Sequence, residues 1–248
     1  MNITFDQQVG IITGAASGLG LAISLKLSQM GVKLALLDRD KEGLENLKNQ
    51  LKTECEIFHI EIAEEEQVKK LIGKVAERFG RIDILINCAG IAGETNKKTH
   101  ETNTETLRHV FEVNFMGCYF TSKYALPWML KNNYGRILHI ASIAGKEGNP
   151  RMLAYSASKA ALVGMAKVQG KEYAHTGITI NALAPAVIRT AFLDKVPEEQ
   201  VKYMTDKIPM KRCCTLEEAT NAVSYIVSPE CSFTTGFTFD LSGGRATY

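Results

Sequence analysis

The sequence contains no apolar run that approaches membrane-spanning length. Its opening segment, MNITFDQQVG, is polar and lacks a basic stretch followed by an apolar one, so it does not read as a secretory signal. Lys and Arg total 29 against 27 Asp and Glu, a net charge of +2, which is too balanced to form a nucleic-acid-binding stripe. Glycine and proline are unremarkable at 20 and 6, which excludes fibrous and disordered classes. The six cysteines are Cys55, Cys88, Cys118, Cys213, Cys214 and Cys231, and none forms a C-x-x-C pair. Such irregular spacing suits free thiols in a reducing compartment, and no role for the adjacent Cys213 and Cys214 follows from it. The five histidines show no metal-ligand spacing. A cytoplasmic protein with no metal, membrane or nucleic-acid partner is the expectation.

What is present is a repeating alternation. Short β-rich runs at Val9–Thr13, Lys33–Asp38, Glu56–Ile60, Ile82–Asn87, Arg136–Ala141, Thr179–Leu183 and Phe237–Asp240 are separated by segments of helical periodicity. The helical patterns lie at Gly18–Gln29, Lys41–Lys52, Glu64–Phe79, about Thr104–Lys131 and about Ala154–Ala174. Alternation of this kind predicts an α/β fold, a doubly wound seven-stranded parallel sheet of Rossmann type with helices on both faces. Continuous apolar runs such as Ile84-Leu85-Ile86 suit strands buried on both sides. No linker or repeat divides residues 1–248, so a single domain is expected. Residues 188–212 carry no strand pattern and contain Pro197 and Pro209. They read as a helical flap over a site.

The first strand runs into Thr13-Gly14-Ala15-Ala16-Ser17-Gly18-Leu19-Gly20. This G-x-x-x-G-x-G spacing differs from the common G-x-G-x-x-G fingerprint, but the physical task is similar. Small residues let the backbone turn tightly, and the following helix directs its N-terminal N–H groups at an anion such as a pyrophosphate. Gly14, Ser17, Gly18, Leu19 and Gly20 are therefore candidate cofactor contacts, against the alternative of a merely tight turn. The second strand ends at Asp38, about 20 residues on, where a carboxylate can accept from adenosine ribose hydroxyls. A carboxylate there repels a 2′-phosphate, so NAD(H) is favoured. Arg39 follows at once and leaves NADP(H) possible.

Tyr155 and Lys159 stand four apart, one turn along one helical face. An ammonium beside a phenol favours the phenolate, so the pair suits proton transfer. Ser142 follows the end of the fifth strand, from which a hydroxyl can donate to a substrate oxygen. Each signal alone is weak: a Tyr–Lys pair is usually a surface pair, and a loop serine usually does nothing chemical.

Together these segments resemble the short-chain dehydrogenase/reductase family along essentially the whole chain. The matching segments, in order, are Thr13–Gly20, Asn87-Cys88-Ala89-Gly90, Asn114, Ser142, Tyr155-Ser156-Ala157-Ser158-Lys159 and Asn181-Ala182-Leu183-Ala184-Pro185. The resemblance implies an oxidoreductase that moves a hydride between a nicotinamide and a secondary alcohol or ketone. It assigns Asn114, Ser142, Tyr155 and Lys159 to catalysis, with Asn114 holding a water chain to the lysine. Lys159 would also bond the nicotinamide ribose. It adds Glu61, Ile62, Asn87, Ala89, Gly90, Pro185, Ile188 and Thr190 to the cofactor contacts. The two long helical patterns occupy positions where family members form a dimer interface, so a homodimer or homotetramer is expected. Three positions depart from the family pattern: Glu61 stands in place of Asp, Ala186 in place of Gly, and Ser242 in place of Asp.

The motif set most resembles the 3-oxoacyl-(acyl-carrier-protein) reductase branch. That branch mostly uses NADPH, which Asp38 opposes. The alternative is a sugar, polyol or other secondary-alcohol dehydrogenase, and a more remote one is an inactive NAD-binding module. Substrate choice is expected to rest on Lys146–Leu153, on flap residues Ala191, Phe192, Leu193, Val196, Tyr203, Met204 and Met210, and on the C-terminal tail. Lys146 and Arg151 could meet an anionic group or simply be solvated.

Overall fold

The computed structural model describes residues 3–5 and 7–248, with the side chains of Phe192 and Lys195 outside the described set. Seven parallel strands form one sheet in the order β3-β2-β1-β4-β5-β6-β7. They are β1 (Val9–Thr13), β2 (Lys33–Asp38), β3 (Cys55–His59), β4 (Ile84–Asn87), β5 (Gly135–Ile140), β6 (Ile178–Pro185) and β7 (Thr238–Leu241). Every residue of β1, β4, β5 and β6 is buried, as continuous apolar strands covered on both faces require.

Alternate strand residues feed two separate cores. Ile11, Ala35, Leu37, Leu85 and Ile137 pack against α3 (Glu65–Phe79) and α5 (Gly117–Lys131). Ile12, Leu34, Leu36, Ile86 and Leu138 point the other way, onto α1 (Gly18–Gln29), α2 (Lys41–Lys48) and α9 (Leu216–Ile226). That two-residue period is the strand geometry itself. The chain reverses its winding between β1 and β4, which opens a crevice at the carboxyl ends of those strands.

Beyond shifts of one or two residues at element ends, the elements differ from the sequence expectation in four places. The pattern at Lys41–Lys52 is helical only to Lys48. The backbone N–H groups of Lys52 and Thr53 donate to Ser28 Oγ at 2.8 and 3.1 Å, which draws the chain off the helix toward β3. The pattern at Thr104–Lys131 is two α-helices, α4 (Thr104–Phe111) and α5, joined by a π-helical turn at Glu112–Met116. The extra residue of a π turn rotates the helix downstream of it, and such turns concentrate at functional positions. A short helix, α6 (Ile143–Glu147), precedes α7 (Leu153–Glu172). Finally, α9 comes after the flap, opened by a reciprocal cap between Thr215 and Glu218.

The flap contains a 3₁₀ turn (Ala191–Lys195) and α8 (Glu198–Asp206). Its two ends are tied together, because Arg189 N–H donates to Cys214 O at 2.8 Å and Cys214 N–H to Val187 O at 2.9 Å. Among the described residues no helix is long and apolar enough to cross a membrane.

Candidate active site

A cleft of about 1240 Å³ runs along the carboxyl ends of the strands, from Asp38 and Glu61 beside β2 and β3 to Ser142 and Tyr155 beyond β5. Its floor is the glycine turn. Gly14 has φ +66°, and a Cβ there would lie 2.8 Å from the Ala89 backbone. A Cβ on Gly20 would lie 2.0 Å from Gly14 O, so the helix can start against the turn only with glycine at that position. Thr13 Oγ1 accepts from the N–H groups of Cys88 and Ala89 at 3.1 Å, which locks the end of β1 to the segment after β4.

The first turn of α1 is open. Its N-cap Ser17 makes no side-chain cap, as is also true of α3, α5, α7 and α8, and Ser17–Gly20 line the cleft. The free N–H groups and positive dipole end of α1 therefore face the cleft at Ser17–Gly20. Thr190 stands over this turn, its Cγ2 4.0 Å from where a Gly18 Cβ would be. Asp38 Oδ2 accepts from Ala16 N–H at 2.9 Å and Oδ1 from Asp40 N–H at 3.0 Å. The carboxylate is thus fixed at the cleft edge with lone pairs to spare. Arg39 is exposed on the same edge. An open anion-binding helix end, a glycine floor and a fixed carboxylate one strand away fit a dinucleotide cofactor.

At the far end, Ser142 caps α6, and its Oγ accepts from Ala144 N–H at 3.1 Å. The hydroxyl hydrogen is left free to donate into the cleft. Tyr155 and Lys159 lie on α7, with Lys159 Nζ 5.8 Å from the Tyr155 ring centroid. Lys159 is buried, and its Nζ donates to Ile140 O at 2.6 Å, which anchors it at the end of β5. Asn114 sits in the π turn, fully buried. Its Oδ1 accepts from Ile91 N–H at 2.8 Å, while its Nδ2 donates to Ile91 O and Ser158 Oγ at 2.9 Å. Asn114 thus ties the segment after β4 to the helix that carries Tyr155 and Lys159.

Of the residues expected from sequence, Gly14, Ser17, Gly18, Leu19, Gly20, Asp38, Arg39, Glu61, Ile62, Ala89, Gly90, Ser142, Tyr155, Lys159, Pro185, Ile188 and Thr190 line the cleft. Asn114 stands behind the wall. The Asn87 side chain is not part of the cleft lining. Its Oδ1 accepts from Thr121 Oγ1 at 2.7 Å, and its Nδ2 lies 3.2 Å from His139 Nδ1. His139 Nε2 in turn lies 3.0 Å from Gln169 Oε1. The side chain is spent on a buried chain joining α5, β4, β5 and α7. Burial pushes the His139 imidazole down to about 4, so it is neutral, and the geometry makes Nδ1 the acceptor and Nε2–H the donor. Burial likewise pushes Cys88 up to about 11 and Cys118 up to about 12, so both remain thiols.

Of the flap residues, Tyr203 and Met204 line the cleft, whereas Ala191, Leu193, Val196 and Met210 do not; the Phe192 side chain lies outside the described residues. Lys146 is not in the wall either; it pairs with Asp240 at 2.9 Å. Asn96, Gln200, Lys207 and Arg245 do line the cleft without having been expected. Gln200, Tyr203, Met204 and Lys207 follow helical spacing, the one signal that could have grouped them. Among the described residues no group of His, Cys, Asp or Glu is placed to hold a metal.

A family model described as enoyl-(acyl carrier protein) reductase matches residues 14–246. A 2-dehydro-3-deoxy-L-rhamnonate dehydrogenase (NAD(+)) of Sphingomonas sp. is 40% identical over 96% of this chain and 95% of its own. A 3-oxoacyl-[acyl-carrier-protein] reductase of Thermotoga maritima is 33% identical over 96% and 98%. Among solved structures, an NAD+-bound xylitol dehydrogenase superposes with TM-score 0.91 at 29% identity over 97% of this chain and 99% of that one. ElxO with NADP bound superposes with TM-score 0.90 at 29% identity over 96% and 98%. With the motifs in order, the cleft at the strand ends and likeness over nearly the full length, the chain belongs to the short-chain dehydrogenase/reductase family of oxidoreductases.

Proposed function

We propose that the protein interconverts a polyhydroxylated secondary alcohol and its ketone, with NAD(H) as the hydride carrier. The observation that carries the reaction type is the convergence of Ser142, Tyr155 and Lys159 in one cleft with the open first turn of α1. The nicotinamide supplies or accepts the hydride when bound. The chain does the rest. The phenol of Tyr155 exchanges a proton with the reacting oxygen, and the free hydroxyl hydrogen of Ser142 donates to that same oxygen as charge develops on it. Lys159, anchored on Ile140 O, would hold the ribose hydroxyls of the bound nicotinamide nucleotide. Asn114 is a positioning residue, acting through Ile91 and Ser158.

NAD(H) is preferred because Asp38 fixes a negative charge where a 2′-phosphate would lie. The relative from Sphingomonas sp. and the xylitol dehydrogenase also carry NAD+ in their names. Arg39 and the NADP-bound neighbour keep NADP(H) as the competing cofactor. A polyhydroxylated substrate is supported by the wall beyond Tyr155, where Asn96, Asn149, Gln200 and Tyr203 offer hydrogen-bonding groups. The second reading, reduction of a 3-oxoacyl thioester, is favoured by the likeness to the Thermotoga maritima reductase.

The reading carries a cytoplasmic setting and a homodimer or homotetramer formed through the exposed Tyr119 and Leu130 of α5 and Leu153 and Val168 of α7. It involves no membrane and no nucleic acid.

The test follows NADH formation with pentitols, hexitols and sugar acids, and NADH loss with an acetoacetyl thioester, with NADP(H) run in parallel. Rapid NAD-dependent oxidation of a polyol or sugar acid is expected. Turnover of the thioester alone would move the assignment to the second reading.

A further inference from the structure

Helix α8 turns one face to the cleft. Gln200, Tyr203, Met204 and the C-cap Lys207 recur at i, i+3, i+4 and i+7, and all four line the same cleft as Ser142. Lys207 Nζ lies 4.0 Å from the Tyr203 ring centroid and donates to its hydroxyl at 2.7 Å. Among the described residues no carboxylate pairs with it. Also in the cleft lining, Arg151 Nη1 donates to Asn96 Oδ1 at 2.7 Å. Both partners hold left-handed backbone, φ +66° at Arg151 and +63° at Asn96. Such a conformation is uncommon for arginine, and strained residues of this kind cluster at ligand clamps. A third cation in the wall, Arg245, is already neutralised, with its Nη2 2.6 Å from Glu147 Oε2. The carboxylates lining the cleft, Asp38 and Glu61, lie at the opposite end beside β2 and β3. Beyond Lys159, which is anchored on Ile140 O, and Arg39, which follows Asp38, the cleft lining carries two further cations with no carboxylate partner among the described residues, Lys207 and Arg151, set among neutral hydrogen-bonding groups.

We infer that the substrate is an anion, a small polyhydroxy acid whose carboxylate is held between Lys207 and Arg151 while its reacting carbon lies against Ser142 and Tyr155. The neutral Asn96 is the resting partner of the Arg151 guanidinium. An ionised carboxylate is the stronger acceptor and replaces it. The bond to Asn96 holds the guanidinium in the cleft lining before substrate arrives, so less ordering remains to be done on binding. This inference rests on the polyol reading above and names the charge that the substrate must carry.

The experiment compares five- and six-carbon aldonates, each with the alditol of matching configuration, as substrates for NAD reduction. Binding of the same compounds to the NAD-saturated protein is read by thermal shift. Arg151→Gly, which accepts the positive φ without strain, Lys207→Met and the double variant are measured alongside. At least one aldonate is expected to exceed its alditol by tenfold or more in kcat/KM, with the gain in KM and weakened by added salt. In the double variant that ratio falls to near one. The inference is overturned if alditols react as well as aldonates in every pair, or if the preference survives in the double variant. It also falls if neither member of any pair reacts while the acetoacetyl thioester is reduced, and that outcome removes the polyol reading as well.

Discussion

Protonating His139 should cost the folded protein about 3 kcal/mol, a figure that follows from its buried position. The ring is fully buried in the chain Thr121–Asn87–His139–Gln169. Desolvation is the main cause holding its pKa at about 4, the nearby Lys159 charge adds to it, and the Gln169 bond partly opposes it. Protonation would also set an N–H on Nδ1 against the Asn87 amide donor. The unfolded chain binds the proton at an ordinary histidine pKa near 6.5. Between pH 6.5 and 4 the unfolded state therefore carries more protons than the folded one, and stability falls as pH falls. Above pH 7 the contribution is absent, and below pH 4 it levels off. A depression of two and a half units at 1.36 kcal/mol each gives about 3 kcal/mol. Urea unfolding of wild type and His139→Gln, followed by fluorescence of the single tryptophan, Trp128, at pH 7, 6, 5 and 4 isolates this contribution, since the surface carboxylates are common to both proteins. Wild type should lose about 3 kcal/mol more than the variant over that range. Parallel pH dependences would refute the neutral, buried imidazole.

Three further outcomes are expected at the site. Asp38→Asn keeps the acceptor oxygen for Ala16 N–H but removes the charge, and should raise the NADPH-to-NADH ratio of kcat/KM roughly tenfold, equivalent to about 1.4 kcal/mol. A Cβ on Gly145 would lie 2.7–2.8 Å from the backbone of Lys159 and Ala160, so Gly145→Ala should displace α7 and destabilise by about 1–3 kcal/mol, read as a lower Tm with a disproportionate loss of kcat. Asn114→Ala leaves the N–H and carbonyl of the half-buried Ile91 without their partner; denaturation should show a loss of about 1–2 kcal/mol, and kcat should fall more than KM changes.

Much of this architecture was legible because the signals are local. Buried strands must be apolar throughout, so β1, β4 and β5 announced themselves, and a turn that packs Gly20 against the Gly14 carbonyl can only be glycine. Tyr155 and Lys159 share a helical face by spacing alone. Other features depend on tertiary context. The π turn around Asn114 adds one residue without disturbing the apolar residues on either side, so α4 and α5 read as one helix. The end of α2 is set by Ser28, more than twenty residues upstream. Asn87 lies in a cofactor-like motif, yet Thr121 and His139 claim its amide. Helix α9 did carry a readable start in Thr215-x-x-Glu218. Lys207 was an ordinary flap lysine until the fold placed it, at the end of α8, in the cleft lining, and only the fold sets Arg245 against Glu147.

The measurement closest to the central claim is Tyr155→Phe, assayed for NAD-dependent turnover and, separately, for NADH binding by fluorescence titration. The substitution removes only the oxygen proposed to exchange the proton. Turnover should fall by about 10²–10⁴-fold while the NADH dissociation constant stays within about threefold. Turnover that persists in the variant would contradict the account, because the proton would then be moved by a group other than Tyr155.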